Sequence, residues 1–357
     1  MQTSDGMNYA PQGKPQPVVG AGEFIFAAAA LDHGHIYGMC NGLIEAGATL
    51  KWVYDPDPEK VRKFVEKYKE VRAASSLQEI LQDPEVQLVA AAAIPSDRGP
   101  LGIQVMQHGK DYFTDKTPFT ELGQLEAAKA AVQETGRKYM VYYSERLHVE
   151  SAVFAGQLIH DGAIGRVVNV MGLGPHRLNA PSRPDWFFRK AQYGGILCDI
   201  GSHQIEQFLF YAGCQDARVV NSQVGNYHNK QYPELEDFGH ANLIGDNGAT
   251  NYFRVDWLTP NGLSTWGDGR MIILGTEGYI ELRKYVDVAR DKKGNQLYLV
   301  NGEGERHLEL SGKVGYPFFG QLILDCLNRT EHAMTQAHAF KAAELCLVAQ
   351  QQALRVE

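Results

Sequence analysis

Between about Glu23 and Ser144, short apolar runs alternate with stretches of helical period, and this alternation constrains the fold more than any other feature of the chain. Phe24 to Ala30 is an apolar run of strand length, and Ile36 to Ala46 can form a helix. Leu50 to Tyr54 reads as a second strand. Asp57-Pro58-Glu59 then reads as cap, first-turn proline and first-turn acid. Val61, Phe64, Val65 and Tyr68 follow at i, i+3, i+4, i+7, one face of an amphipathic helix. Ser76 and Glu79 have the spacing of a capping box. Val86 to Ile94 is nearly all Val, Leu and Ala, which suits a strand buried on both faces. A helix near Leu101 to His108, a strand Asp111 to Thr114, a helix Glu121 to Glu134 and a strand Lys138 to Tyr143 complete the run. Strands alternating with helices predict a parallel sheet.

The pattern changes after His148. A helix from Ser151 to His160 leads to a strand Val167 to Met171 and then a Gly-, Pro- and Arg-rich stretch. A helix from Gly201 to Phe210 precedes strand-like segments at 218–227, 238–244, 250–258, 270–274 and 279–283. Helices at 318–328 and 332–354 close the chain. This half reads as α+β with a mostly antiparallel sheet. At roughly 150 residues per domain, 357 residues also suggest two domains. The expected division is a flexible arm 1–22, a parallel α/β domain 23–148 and an α+β domain 149–357, with the active site in the cleft between the halves.

Composition removes several functions. Lys+Arg total 34 against 42 Asp+Glu, a net charge of −8, which argues against nucleic acid or an anionic membrane as the main partner. Cys40, Cys198, Cys214, Cys326 and Cys346 are scattered and form no CxxC pair, so neither a disulfide framework nor a zinc ribbon is expected. No apolar run approaches the ~18 residues of a membrane span, and Met1 to Val18 lacks the features of a signal peptide. A cytoplasmic protein is the expectation. Glycine, 37 of 357 residues, exceeds its usual share of about 7% and points to turns and close backbone approaches.

A strand–loop–helix–strand opening invites comparison with the dinucleotide loop GxGxxG. The register here is Ala29-Ala30-Leu31-Asp32-His33-Gly34, and only the last glycine remains. Asp55 ends the second strand, where a carboxylate accepts the adenosine ribose hydroxyls and repels a 2′-phosphate, so NAD is expected over NADP. Asp32, His33 and His35 are expected to hydrogen-bond cofactor phosphates or the loop itself. A His-Gly-His run can ligate a metal, but none is expected here.

Two later segments carry chemistry. Gly109-Lys110 to Asp115-Lys116-Thr117-Pro118 spans a parallel strand's carboxyl end, where open α/β sheets bind ligands. A lysine there can donate to a substrate oxygen. Gly194-Gly195 to Asp199, Gly201 and His203 is the second. Asp199 and His203 are four apart and share one face of a helix. An imidazole near neutral pKa can take a hydroxyl proton and a carboxylate can tune it. The glycines are read as letting substrate approach the backbone.

Together with Gly162-Ala163-Ile164-Gly165 and Gly275-Thr276-Glu277-Gly278, these segments resemble the glucose–fructose oxidoreductase / inositol dehydrogenase (Gfo/Idh/MocA) family over about residues 23 to 357. The resemblance implies an NAD(P) Rossmann domain and a C-terminal α+β domain whose open sheet carries substrate on one face and a homodimer or homotetramer contact on the other. It implies Lys116, Asp199 and His203 as the catalytic trio. Leu31, Asp32, His33, Gly34 and His35 of the loop are expected to contact the cofactor, as are Asp55, Ile94, Pro95, Asp115 and Lys116. Three departures stand out: the degraded glycine loop, Asp115-Lys116-Thr117 in place of Glu-Lys-Pro, and Glu206 in place of aspartate three residues after the histidine.

The expected reaction is hydride transfer between nicotinamide and a secondary hydroxyl of a sugar or polyol. Arg146, His176, Arg183 and Trp186 are expected to join Asp199 and His203 in binding the substrate, with Tyr143 beside them. Trp257 and Trp266 are expected in the core or an interface. Redox-assisted glycoside cleavage, a metal-dependent isomerase or hydrolase, and a non-catalytic sugar-binding regulator are the rival readings.

Overall fold

A computed structural model of the protein describes residues 5–356, and the backbone falls into two compact units. One unit holds Met7–Tyr142 with Tyr316–Phe340. The other holds Tyr143–Gly315, the N-terminal residues up to Gly6 and the chain from Lys341 onward.

In the first unit, β1 (Ile25–Ala29), α1 (His35–Glu45), β2 (Thr49–Tyr54), α2 (Pro58–Lys67), β3 (Arg72–Ala73) and α3 (Leu77–Gln82) come first. They are followed by β4 (Leu88–Ala91), α4 (Pro95–Gln107), β5 (Asp111–Asp115), α5 (Leu122–Thr135) and β6 (Tyr139–Tyr142). All neighbours in the order β3-β2-β1-β4-β5-β6 are parallel, as the alternation predicts. Strands β4, β5 and β6 are buried along their whole length; β4 reads accordingly as part of an unbroken apolar run, while β5 begins and ends on buried aspartates. The Asp57 carboxylate accepts from Glu59 N at 2.9 Å, so the cap of α2 forms as read. At α3 only half of the box forms: Ser76 Oγ accepts from Glu79 N at 3.2 Å, while Glu79 Oε2 takes Ser75 N instead. Helix α4 starts at Pro95 and runs through Pro100, where the sequence suggested a start at Leu101. Pro100 has no N–H for the Ser96 carbonyl, and Gln124 Nε2 supplies that hydrogen bond at 2.9 Å.

The second unit opens with α6 (Ser144–Leu147), α7 (Glu150–His160) and β7 (Val167–Pro175). Short helices α8 (Lys190–Tyr193) and α9 (Ile196–Asp199) precede α10 (Gly201–Ala212). Strands β8 (Ala217–Gly225), β9 (Phe238–Gly245), β10 (Thr250–Asp256), β11 (Arg270–Gly275), β12 (Gly278–Arg283), β13 (Gln296–Asn301) and β14 (Gly304–Glu309) follow. Helix α11 (Pro317–Asn328) belongs to the first unit, and the assignment changes along α12 (Gln336–Gln352) before β15 (Leu354–Val356). The nine strands form one sheet in the order β14-β13-β12-β11-β7-β10-β9-β8-β15. Only β7–β10 and β8–β15 pair in parallel. Burial alternates residue by residue along β9 and β11, so one face is packed and the other solvated.

Several expectations need correction. The break falls at Tyr143 rather than near 148, and the chain from Tyr316 to Phe340 returns to the first unit. Residues 5–22 are not a loose arm. Asp5 is buried and accepts from Asn179 Nδ2 and Ser182 Oγ, while Gln16 N and Val18 N donate to the carbonyls of Glu45 and Ala46. Met1 to Ser4 lie outside the described residues. Among the described residues, no helix is long and apolar enough to cross a membrane.

Candidate active site

The carboxyl ends of β1, β2, β4 and β5 carry the first set of expected residues. Strand order reverses between β1 and β4, the place where doubly wound sheets take a dinucleotide. The loop after β1 is tied down on both sides: Ala30 N donates to the Tyr54 carbonyl and His33 N to the Ala92 carbonyl. Asp55, just past β2, accepts Leu31 N on Oδ2 at 2.6 Å and Asp57 N on Oδ1 at 2.9 Å. Lys60 Nζ, from the first turn of α2, lies 2.6 Å from Asp32 Oδ1 and 3.7 Å from Asp55 Oδ1. Leu31, Asp32 and Asp55 are therefore brought together as expected, with Lys60 as a partner that sequence spacing did not suggest. The two-sided hydrogen bonding fixes the Asp55 carboxylate just past the end of β2. Ile94 caps α4 and Pro95 is its first residue, which places both at the end of β4. Gly34 packs against the Met7 backbone.

His33, His35 and Asp115 form a second, buried cluster. Asp115 Oδ2 lies 3.2 Å from His33 Nδ1, and Oδ1 lies 2.9 Å from His35 Nδ1. Arg98 of α4 reaches the same carboxylate at 3.2 Å. Burial alone would raise the Asp115 carboxyl, but His35, Arg98 and His33 hold it well below the usual carboxylate range. Burial and then His35 push His33 down, which keeps that ring neutral. The three ligand atoms lie within 4.8 Å of one another, close enough to share an ion. Arg98 already matches the carboxylate's charge, and a dication beside a buried guanidinium would be repelled. The histidines therefore serve the loop and Asp115 itself. Lys116 is buried and its N–H donates to Asp115 Oδ1 at 2.8 Å. Arg98 also donates to the carbonyls of Ala93, Lys116 and Thr117, so one side chain fixes the whole strand end. The Lys116–Thr117 peptide is cis.

The second unit carries the other expected residues. Asp199 closes α9 and His203 sits in the first turn of α10, joined through Ile200 at φ −79°, ψ −37°. They are thus on two abutting helices, not one regular helix. Ser202 Oγ donates to the Asp199 carbonyl at 2.7 Å. His203 is buried and Asp199 half-buried. Gly195 before them makes room for a side chain of the protein itself. Gly195 has φ +96°, and a Cβ there would lie 2.3 Å from the Gln350 side chain, whose Oε1 accepts from Leu197 N at 3.0 Å.

Arg146 has a partner within the protein. Its guanidinium grips Glu206, with Nε 2.7 Å from Oε1 and 3.0 Å from Oε2, and lies 3.9 Å above the Phe210 ring. It is a structural ion pair, and the residue Glu206 that departs from the family is its partner. His176 packs tilted against Trp266 at 4.4 Å and edges onto Trp257 at 5.3 Å. Arg183 lies over Phe187 and Trp257 and donates to the Leu178 carbonyl at 2.9 Å. Burial lowers its pKa, against the fields of Asp5 and Asp199. Trp186 is buried against Phe187. Trp257 and Trp266 thus pack the candidate substrate residues, a role that the sequence did not signal. Glu145 and Lys284 were missed as well: they form a buried pair at 2.9 Å between residues 139 apart in the chain.

Family models match both units. Residues 17–143 match the oxidoreductase family, NAD-binding Rossmann fold, and residues 153–281 match the Gfo/Idh/MocA C-terminal domain. A D-xylose dehydrogenase of Paenarthrobacter nicotinovorans is 27% identical over 40% of this chain and 38% of that protein. A scyllo-inositol 2-dehydrogenase (NAD(+)) of Bacillus subtilis (strain 168) is 26% identical over 66% of each. The chain thus spans from 38% to 66% of the length of these curated relatives. A crystal structure of a protein assigned as an oxidoreductase, from Erwinia carotovora atroseptica SCRI1043, is 53% identical with a TM-score of 0.91, covering 94% of this chain and 100% of that one. The chain belongs to the Gfo/Idh/MocA oxidoreductase family, with an NAD-binding Rossmann domain followed by the family's C-terminal domain.

Proposed function

We propose that the protein is an NAD-dependent dehydrogenase acting on a secondary hydroxyl of a sugar, polyol or sugar derivative. The observation that carries this reading is the setting of His203: a buried imidazole in the first turn of α10, one residue before Gln204, whose Nε2 donates to the buried, ionised carboxylate of Glu145. Nicotinamide, when bound, supplies the redox chemistry. His203 takes the hydroxyl proton on a ring nitrogen, and Lys116 keeps the role that the family resemblance implies for it, a donor that stabilises charge on a substrate oxygen. Asp199 orients the substrate, and the indoles around His176 give its hydroxylated carbon frame a flat apolar wall. The sugar and polyol dehydrogenases among the relatives favour the same substrate class.

NAD is preferred over NADP on this reading. A carboxylate at the end of the second strand, as Asp55 is, would repel a 2′-phosphate, and the nearby ammonium of Lys60 is already held by Asp32. The solvated face of the large sheet, which exposes Ile272, Leu274 and Tyr279, is proposed as the contact between copies of the chain, and the cytoplasm as its compartment. The test is an NADH-absorbance screen over sugars, polyols and their keto forms, with NAD and NADP compared. His203→Ala should slow turnover by roughly 10²–10⁴-fold while NAD binding persists. Equal turnover in that variant would remove His203 from the mechanism.

A further inference from the structure

Glu145 does more than its place in the sequence suggests. It sits on α6, and its carboxylate is almost wholly buried. Oε2 accepts from Lys284 Nζ at 2.9 Å and from Gln204 Nε2 at 3.3 Å. Oε1 accepts no hydrogen bond and lies 3.9 Å from His176 Nε2. Lys284 also donates to Gln207 Oε1 at 2.7 Å, and Gln207 Nε2 in turn donates to the His203 carbonyl at 2.7 Å. One ammonium therefore fixes both the carboxylate and the turn of α10 that carries His203.

Two glycines make the arrangement possible. A Cβ on Gly172 of β7 would lie 2.0 Å from Gln204 Oε1, and one on Gly174 would lie 3.1 Å from its Nε2. The bare strand admits the Gln204 amide, and that amide holds Glu145. The groups against the carboxylate are Lys284 from beyond β12, His176 from the end of β7 and Gln204 from α10, and His203, the residue before Gln204, adds its charge to theirs. Burial alone would raise the Glu145 carboxyl, yet Lys284, His203 and His176 bring it down to about 2. It is therefore charged at any pH at which the enzyme would work.

We propose that Glu145 is a positioning residue for His203: held by Lys284 and Gln204, its carboxylate is the counter-charge that stabilises the imidazolium formed when His203 takes the substrate's proton. The inference rests on the dehydrogenase reading above. In that reaction the alcohol gives its hydroxyl proton to His203 and its hydride to nicotinamide, so the site gains one positive charge. That charge appears beside a carboxylate already in place, which needs no reorganisation.

The test is the pH profile of kcat/KM for alcohol oxidation in Glu145→Gln. Removing the negative charge lowers the proton affinity of His203. The acid limb should move to lower pH by about one unit or more, and kcat on the plateau should fall, with NAD binding unchanged. Glu145→Asp retracts the charge by one methylene. It should shift the limb in the same direction by less, and it serves if the glutamine variant does not fold. An NMR titration of the His203 ring, assigned through His203→Gln, should show the same shift without any substrate. Failure to find turnover with any sugar or polyol would overturn the dehydrogenase reading, while the ring titration would still decide the coupling. A limb and a ring titration unmoved in both Glu145 variants would overturn the proposal and leave the Glu145–Lys284 pair a structural one.

Discussion

Removing Glu206 should cost the protein far more stability than removing an exposed acid, because Arg146 would be left charged and buried. The pair has two N–H donors on one carboxylate, with Nε at 2.7 and 3.0 Å, and Glu206 has no solvent exposure. Loss of one partner from a buried pair costs about 3–5 kcal/mol. At 2–4 °C per kcal/mol for a domain of this size, Glu206→Leu should lower Tm by roughly 6–20 °C. Arg146→Met should behave similarly, and it keeps some packing over Phe210. The double variant Arg146→Met/Glu206→Leu should recover most of the loss, since it leaves no orphaned charge. Thermal unfolding followed by circular dichroism gives all four corners of the cycle. Steady-state kinetics on the folded single variants should show KM for the sugar changed by less than about threefold. Arg146→Met with wild-type Tm and a KM raised tenfold would refute the argument, and would return Arg146 to the substrate site.

Asp32→Ala should free Lys60 for a 2′-phosphate and raise the ratio of NADP to NAD turnover. Asp55→Asn should do so too, and an unchanged ratio in both would remove this corner from cofactor choice. Acid unfolding should follow the depressed carboxyls: Glu145, ordinarily near 4.5 and about 2 when folded, adds stability above pH 4.5 that is lost as pH falls toward 2. A urea series over that range should therefore have a flatter pH dependence in Glu145→Gln, and an equal slope would contradict the assignment. Gly195→Ala should destabilise the second unit by about 1–3 kcal/mol, since φ +96° suits glycine and the Gln350 amide occupies the space of a Cβ. A wild-type Tm would show that the loop yields easily.

Features encoded within one helical turn or one strand were legible in the sequence, and those that join distant segments were not. The cap at Asp57 and the buried strands β4 and β5 depend on neighbours a few positions away, so period and spacing report them. Strand β14 escaped because Gly304–Glu309 is mostly exposed and charged, which leaves no alternation to read. In the candidate site, Lys116, Asp55 and His203 stood out by their places at element ends. Their supports did not: Arg98 reaches Lys116 from 18 residues away, and Glu206 reaches Arg146 from 60. A charged residue's role depends on whether its counter-charge lies in the protein or in a ligand, and one sequence cannot tell these apart. Arg146 was read as a substrate contact because its partner was out of view, while Glu145, beside it in the chain, went unremarked although its field falls on His203. The same ambiguity attends Gly195, whose missing side chain makes room for Gln350. The catalytic residue types are thus written locally, but the charges that would tune them come from segments that only the fold brings together.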